Sequence, residues 1–539
     1  MGSRPKTHFA RTLVALAGAI AIGGSGVGLA AQPALAATLC VAHDTPGCFS
    51  TVQAAVDAAD DGDTITIGPG TFAGGITIDK SVELIGADAH ATVIKGGGPV
   101  ITIGTLFAPT KPTVSISRVT VTGGLTTTKP PAYMFTEGGG VWIPPAEGDT
   151  TGATVSISDS VISQNIVAPS TADPSPTDPP EPPCGPLGCA FARGGGIANS
   201  GTLTVTNTRI SDNAVGPSVA SEAAAAGIWN RPMGTFTLSR SFVTGNRVVV
   251  TAPNGILAFA GGIGTHGDLT VKDSVVRGNS VNLNASFEGE AEAGIGGIEL
   301  TGSASGTITR TTVRGNKVEA TNDSGPVLAG LGGINTDPDV SLVLRDSTID
   351  HNSVTATSTA PEASATAFAG GIELEGVAEV TGSRFVANEV IARAPAGFPV
   401  AVGGGLFADA FAPASVSDSL VASNSVASVT TSGEAFAGGG GVFNAGDLMV
   451  RRTVVAANVT SAVGPAGVAQ GGGLWNGFVS LPGFPENVQL TLRDVRVTGN
   501  KLTGSAGMGI EGGGIFTEFP ITMSGTVIAG NQPDQCSGC

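Results

Sequence analysis

Residues 261–281, GGIGTHGDLTVKDSVVRGNSV, decide the fold, because their skeleton returns ten more times along the 539-residue chain. Each copy reads a glycine cluster, an aliphatic residue, a short β-type run, a Ser or Thr, an aliphatic residue two later and an Asn three after that. The Asn positions are Asn165, Asn213, Asn246, Asn279, Asn316, Asn352, Asn388, Asn424, Asn458, Asn500 and Asn531. Three residues before every one is an apolar side chain, as in Val276, Val313, Ile349 and Phe385, and none of the eleven is polar. Five residues before the Asn is Ser or Thr, with Val495 the exception, so the register is fixed on both sides of the apolar position.

Self-similarity at this period belongs to solenoids, propellers and arrays, in which one unit buries its apolar face only by stacking on its neighbours. The β-branched runs LTVKDSVV, LTLRDVRV and LTVTNTRI, and the glycine at every corner, exclude the helical solenoids. From the last glycine of each cluster to its Asn the separation is always odd, between 17 and 27 residues. Side chains alternate along a strand, so such insertions leave inward positions inward. The opposite segment, from Asn to the next glycine cluster, varies freely and reads as decorated arches. An Asn at a fixed corner suits coils stacked every ~4.8 Å, where amides hydrogen-bond up and down as a ladder. The expected fold is all-β: a single-stranded parallel β-helix with a short N-terminal capping helix.

Residues 1–36 read as a signal peptide, with Arg4, Lys6 and Arg11 before an apolar stretch and Ala34-Leu35-Ala36 as the cleavage site. The mature chain is then exported, and its acidity, a formal charge of −17 even with the leader, argues against nucleic-acid partners and anionic membranes. No second span of membrane length follows. The six cysteines form three local pairs, Cys40/Cys48, Cys184/Cys189 and Cys536/Cys539, read as short disulfide loops of an exported protein. Ser50-Thr51-Val52-Gln53 has the form of a capping box, and Val52, Ala55, Val56 and Ala59 make one apolar stripe, so 37–63 is expected to cap the first coil. The β-helix then occupies 64–535, with a Pro-rich excursion over 168–190 and a Cys-x-x-Cys end at 536–539.

The stretches CFSTVQAAVDAADDGDTITIGPGTF (48–72) and ITIDKSVELIGADAHATVIKG (76–96) resemble the opening of right-handed parallel β-helix proteins of the pectin-lyase-like superfamily. The eleven repeats are similar to those of polymorphic outer membrane proteins. The resemblance implies a right-handed solenoid over nearly all of the mature chain, but it does not single out an activity, because fold alone does not carry one.

Stacking turns the repeat into outward rows. Six residues before the Asn, Arg240, Asp273, Arg310 and Asp346 alternate in sign, as cross-strand pairing on a solvated face would select. Two before the Asn are Arg277, Arg314 and Asp350. With Lys272 and Arg345 these make Lys272, Asp273, Arg277, Arg310, Arg314, Arg345, Asp346 and Asp350 a candidate ligand patch for an acidic glycan. Residues 333–337, GINTD, look like the first polygalacturonase motif, and 70–72 like part of a methylesterase motif, but their partner motifs are missing. The His residues lack nucleophile motifs, and one Tyr and three Trp give no aromatic platform for sugars. No cofactor is expected; the metal readings are calcium bridging Glu288 and Glu292, and a metal at Cys536-x-x-Cys539, which has no further Cys or His nearby in sequence. The function expected from these features is a secreted, non-catalytic binding, adhesion or structural surface protein, facing an extracellular polysaccharide or cell-surface component and held in the medium or at the cell surface. The alternative is a polysaccharide lyase or glycosidase acting on an acidic polysaccharide such as pectin, through Arg277, Arg314 and Asp350.

Overall fold

A computed structural model of the protein describes residues 36–127, 135–168, 191–218, 222–252, 257–409, 412–477, 488–504 and 509–539. The expected leader up to residue 35, and the Pro-rich segment 169–190 with Cys184 and Cys189, lie outside the described residues. Residues Ala36–Cys539 form one compact unit.

One full coil shows how the repeat becomes structure. After its glycines the chain runs through Ile263–Thr265, Leu269–Lys272, Val275–Arg277, Ser280–Ala285 and Ala291–Gly294, and then starts again at Ile298–Leu300. Each strand pairs in parallel with its counterpart one coil on, giving five sheets of 14, 15, 14, 11 and 11 strands, called here the first to fifth faces in chain order round the coil. This is the right-handed parallel β-helix expected, the hand being that of parallel crossovers in general. Val276 pairs with Val313, Val313 with Ile349 and Ile349 with Phe385, and all four are fully buried. The first three faces close round this aliphatic core, to which the coil contributes Ile263, Leu269, Val271 and Val276.

The segments between Asn and glycine cluster are not free arches, which corrects the sequence reading. Ser280–Ala285 pairs in register with Lys317–Asn322, and that with Ser353–Ser358. Their inward residues, such as Val281, Leu283, Val318 and Ala320, pack on Ala291, Ala293 and Ala329 of the fifth face in a second, thin core. Strict alternation after the Asn (SVNLNA, KVEATN, SVTATS) is the signal for these strands; the length variation sits only at the turn between fourth and fifth faces.

Two rows of hydrogen bonds hold the coils in register. Asn279 Nδ2 donates to Asn316 Oδ1 at 2.9 Å and Asn316 Nδ2 to Asn352 Oδ1 at 3.0 Å. The same Asn316 Oδ1 accepts the Asn279 backbone N–H, and its Nδ2 also reaches the Val276 carbonyl. At the corner between second and third faces, each backbone N–H meets the hydroxyl one coil on, as in Ser241 to Ser274 and Ser347 to Ser383. The glycine cluster is required by close approach: a Cβ on Gly333 would sit 2.1 Å from the Gly371 carbonyl oxygen.

The helix Val52–Ala58 lies at the N-terminal end, with Val52, Ala55, Val56 and Ala59 buried. Thr51, not Ser50, is its N-cap; Gln53 turns instead to the first coil, accepting from Thr77 N at 2.8 Å. Cys40 is bonded to Cys48 and Cys536 to Cys539.

Because Asn316 is fully buried and serves four partners, Asn316→Ala is expected to destabilise the protein by about 3 kcal/mol, since it strands several buried polar groups at once. Asn282→Ala, which removes an outward amide bonded only to Ser280, should change stability by less than about 0.5 kcal/mol. Urea unfolding of the two variants checks this, and equal midpoints would contradict it.

Candidate functional site

The middle residue of each first-face strand points away from the main core. Successive coils place Trp229, Gly264, Glu299 and Asn335 in one row, which continues through Glu373, Phe407, Phe443, Trp475 and Phe516. On an isolated prism this row would be wet. Here the outer side of the fifth face folds over it, and Trp229, Glu299, Glu373, Phe443 and Trp475 are all buried. The seam between first and fifth faces is therefore a third packed layer running along the solenoid, and the groove lies where a cavity opens in it.

Midway along it a cavity of about 210 Å³ is lined from the fifth face by Leu328, Thr366, Phe368, Val400 and Val402 and from the first by Glu373, Glu375, Phe407, Asp409 and Phe443. Three carboxylates thus share an otherwise apolar pocket. One oxygen from each of Glu373, Glu375 and Asp409 lies within 4.8 Å of the others, and this is the only set of three among the described residues that could hold one metal ion. Glu373 and Asp409 are 3% and 7% exposed, and Glu375 is half-buried. The backbone fixes two of them: Glu375 N–H donates to Thr336 O, and Asp409 N–H to Leu374 O. Asp409 Oδ1 is buried without a hydrogen-bond partner among the described residues, as are Asn335 Oδ1 and Glu299 Oε2 further along the row. A larger concavity of about 500 Å³ over Ser341, Glu379 and Met449 lies on the solvated second face and gathers no such cluster.

Burial sets the protonation of this site. It pushes Glu375 up to about 8, helped by the charges of Asp409 and Asp337. Asp409 is raised to about 7 by burial, and Glu299 to about 8 by burial and then Asp337. Glu373 goes well above the ordinary range, because burial and then Glu375, Asp409 and Asp337 all oppose its charge. Near neutral pH burial therefore favours the protonated forms of the trio.

Towards the N-terminal end the groove is cationic and aromatic. Arg193 lies over the rings of Phe135 and Trp229, at 4.7 and 4.5 Å, and is ion-paired with Glu222. Arg231 meets Glu137 at 3.3 Å. Towards the C-terminal end Phe407, Phe443 and Trp475 stack in turn, with ring centroids 4.8 and 4.2 Å apart. These rings come from Phe as much as Trp, one per coil, and they are buried in a packed cluster rather than laid open as a platform for sugars.

The sequence-derived patch falls elsewhere. Lys272, Asp273, Arg277, Arg310, Arg314, Arg345 and Asp346 are exposed on the second and third faces. Arg310 makes two bonds to Asp273, at 2.7 and 3.1 Å, and Arg345 pairs with Glu379. Asp350 receives Arg314 at 3.4 Å and the His351 ring at 3.0 Å. Glu288 and Glu292 belong to no group of three ligating side chains among the described residues.

No protein-family model matches the sequence, and no curated protein does. Among solved structures the chain is similar to the mannuronan C-5 epimerase AlgE6 A-module of Azotobacter vinelandii, at 13% identity over 89% of this chain and 95% of that one, with a TM-score of 0.28. It is also similar to the catalytic domain of a GH87 α-1,3-glucanase in complex with nigerose, at 12% identity over 92% of this chain and 70% of that one, with a TM-score of 0.32. At these values the likeness is one of fold, the parallel β-helix. The expectation of a non-catalytic surface protein is corrected by this chain's own site, in which three carboxyl groups gather in a largely apolar cavity.

The raised acids fix the sign of the pH dependence. Their folded values, about 8 for Glu375 and about 7 for Asp409, exceed the ordinary 4.5 and 3.8, so the stability they contribute is complete below about pH 4 and is lost as pH rises to about 8. Asp273 and Asp418, held low by Arg310 and Arg452, act in the opposite sense and only at lower pH. The melting temperature is therefore expected to fall between pH 4.5 and 8, and to fall less in Glu373→Gln/Asp409→Asn; a flat wild-type profile would contradict this.

Proposed function

We propose that the protein is a polysaccharide-cleaving enzyme, a glycoside hydrolase whose acid and base are carboxyl groups of the groove. One observation carries this reading: three carboxyl groups are gathered in a groove cavity that keeps them mainly protonated and leaves a buried Asp409 oxygen unpartnered. Hydrolysis of a glycosidic bond needs one carboxylic acid that is still protonated at working pH and one carboxylate. Glu375, the most accessible of the three, gives its proton to the leaving oxygen. Asp409, whose buried Oδ1 has no partner among the described residues, attacks the anomeric carbon as its carboxylate, and the more deeply buried Glu373 holds its proton and keeps the trio to a single charge. In the second half-reaction Glu375 takes a proton from water, which releases the sugar from Asp409. The close spacing of the oxygens resembles the ~5 Å separation of retaining pairs more than the ~6.5–9.5 Å of inverting ones. The pocket lining contains no Lys or Arg to serve as the base of a lyase, which favours hydrolysis over elimination.

The leader-like start, together with the disulfides Cys40–Cys48 and Cys536–Cys539, supports export to an oxidising compartment. Among the described residues no helix is long and apolar enough to cross a membrane. The opening at 48–96 supports kinship with the pectin-lyase-like superfamily, and the repeats a relation to those of polymorphic outer membrane proteins.

Purified protein is expected to release reducing ends from a polysaccharide, with a bell-shaped kcat profile whose limbs are set by Asp409 and Glu375. Glu375→Gln and Asp409→Asn should each lower kcat by about 10²–10⁴-fold. Arg314→Ala, on the third face, should leave it unchanged. Full turnover in Glu375→Gln, or its loss in Arg314→Ala, would contradict the assignment.

A further inference from the structure

We infer that the groove takes a neutral glycan rather than a polyuronate. This rests on the glycosidase reading and adds the charge class of its substrate. The pocket lining combines three acids with Phe368, Phe407, Phe443 and aliphatic side chains, and includes no Lys, Arg or His. The acidity also continues along the axis. Glu299 lies in the same row two coils before Glu373, and Asp337 follows the intervening strand Ile334–Thr336, so carboxyl groups occur along this seam on four consecutive coils, those of Glu373, Glu375 and Asp409 lining the cavity itself. At ~4.8 Å per coil they span roughly 15 Å, the length of several sugar residues.

A polyuronate carries one carboxylate per ring, and the cavity lining offers no cation to pair with it in a site screened from water. Burying such a charge without a partner is disfavoured, whereas ring C–H faces suit Phe and Val, and hydroxyls suit carboxyl groups of either protonation state. The groove's cations do not alter this. Arg193, whose charge reaches Glu299 at the N-terminal end of this row, and Arg231 are already engaged with Glu222 and Glu137, and neither lines the cavity four coils on from Trp229. The Arg-rich patch that suggested an acidic ligand lies on the second and third faces, away from the cavity.

The test uses matched polymers: polygalacturonate and alginate, each beside its carboxyl-reduced counterpart, with neutral α- and β-glucans. Binding is measured by affinity electrophoresis with Glu375→Gln protein, and cleavage as reducing ends with wild type, both with and without added calcium. At least one neutral polymer is expected to bind about tenfold or more tighter than any uronate form, and Asp337→Asn to narrow that gap. Preference for a uronate form, alone or only with calcium, would overturn the inference, as would binding of none of the neutral polymers. Cleavage of a polyuronate would overturn the charge class while leaving the hydrolase reading in place. Neutral binding without any cleavage would do the reverse.

Discussion

In-register parallel stacking is the constraint on which this molecule depends. Each coil closes its backbone hydrogen bonds on the next, so a side chain at a given position meets its own counterpart about 4.8 Å away. That arrangement is permissive for aliphatic residues and demanding for polar ones. A buried Asn satisfies it by donating one way and accepting the other, as Asn279, Asn316 and Asn352 do. A second such run at the corner after the first face joins Asn199 to Asn230 and Asn444 to Asn476. A buried carboxylate cannot repeat in this way, because its neighbour would be a like charge.

Glu299, Asn335 and Glu373 show what happens when acids nevertheless enter a buried row. Burial and mutual repulsion favour the neutral form, and Asn335 Oδ1, an acceptor with no partner among the described residues, sits between two acids able to donate to it when protonated. The second lobe makes this possible. Without the fourth and fifth faces the row would be solvated, and its acids would be ordinary surface carboxylates. The same covering creates the pocket, so protonation and concavity have one structural origin. From Trp142 to Phe516 the row's other members are Trp, Phe, Ala or Gly.

What repeats identically could be read from the chain, and what varies could not. The aliphatic residue and Asn of each copy announced the solenoid, since stacking forces them to be alike. The first-face position is where the copies differ, and its variation looked like noise. A signal was present: GGIEL at 296–300 and at 370–374 places an acid beside an always aliphatic residue, where six of the other nine copies have an aromatic one. The rows beside the Asn, with Arg310 and Arg314, are solvated, whereas the position two after the glycines, shared by Trp229 and Trp475, is buried. The fourth and fifth faces were missed for a related reason, since unequal turn lengths hid a regular alternation. Without that lobe no argument from the sequence could make the glycine-anchored row a buried one.

Carboxyl groups that stay protonated at neutral pH are the central claim, and infrared difference spectra of wild type against Glu373→Gln/Glu375→Gln/Asp409→Asn, recorded from pH 4 to 9, test it directly. The account predicts a protonated-carboxyl band that persists above pH 6, fades towards pH 8 and is absent from the variant. Complete ionisation of these groups by pH 5 would contradict it.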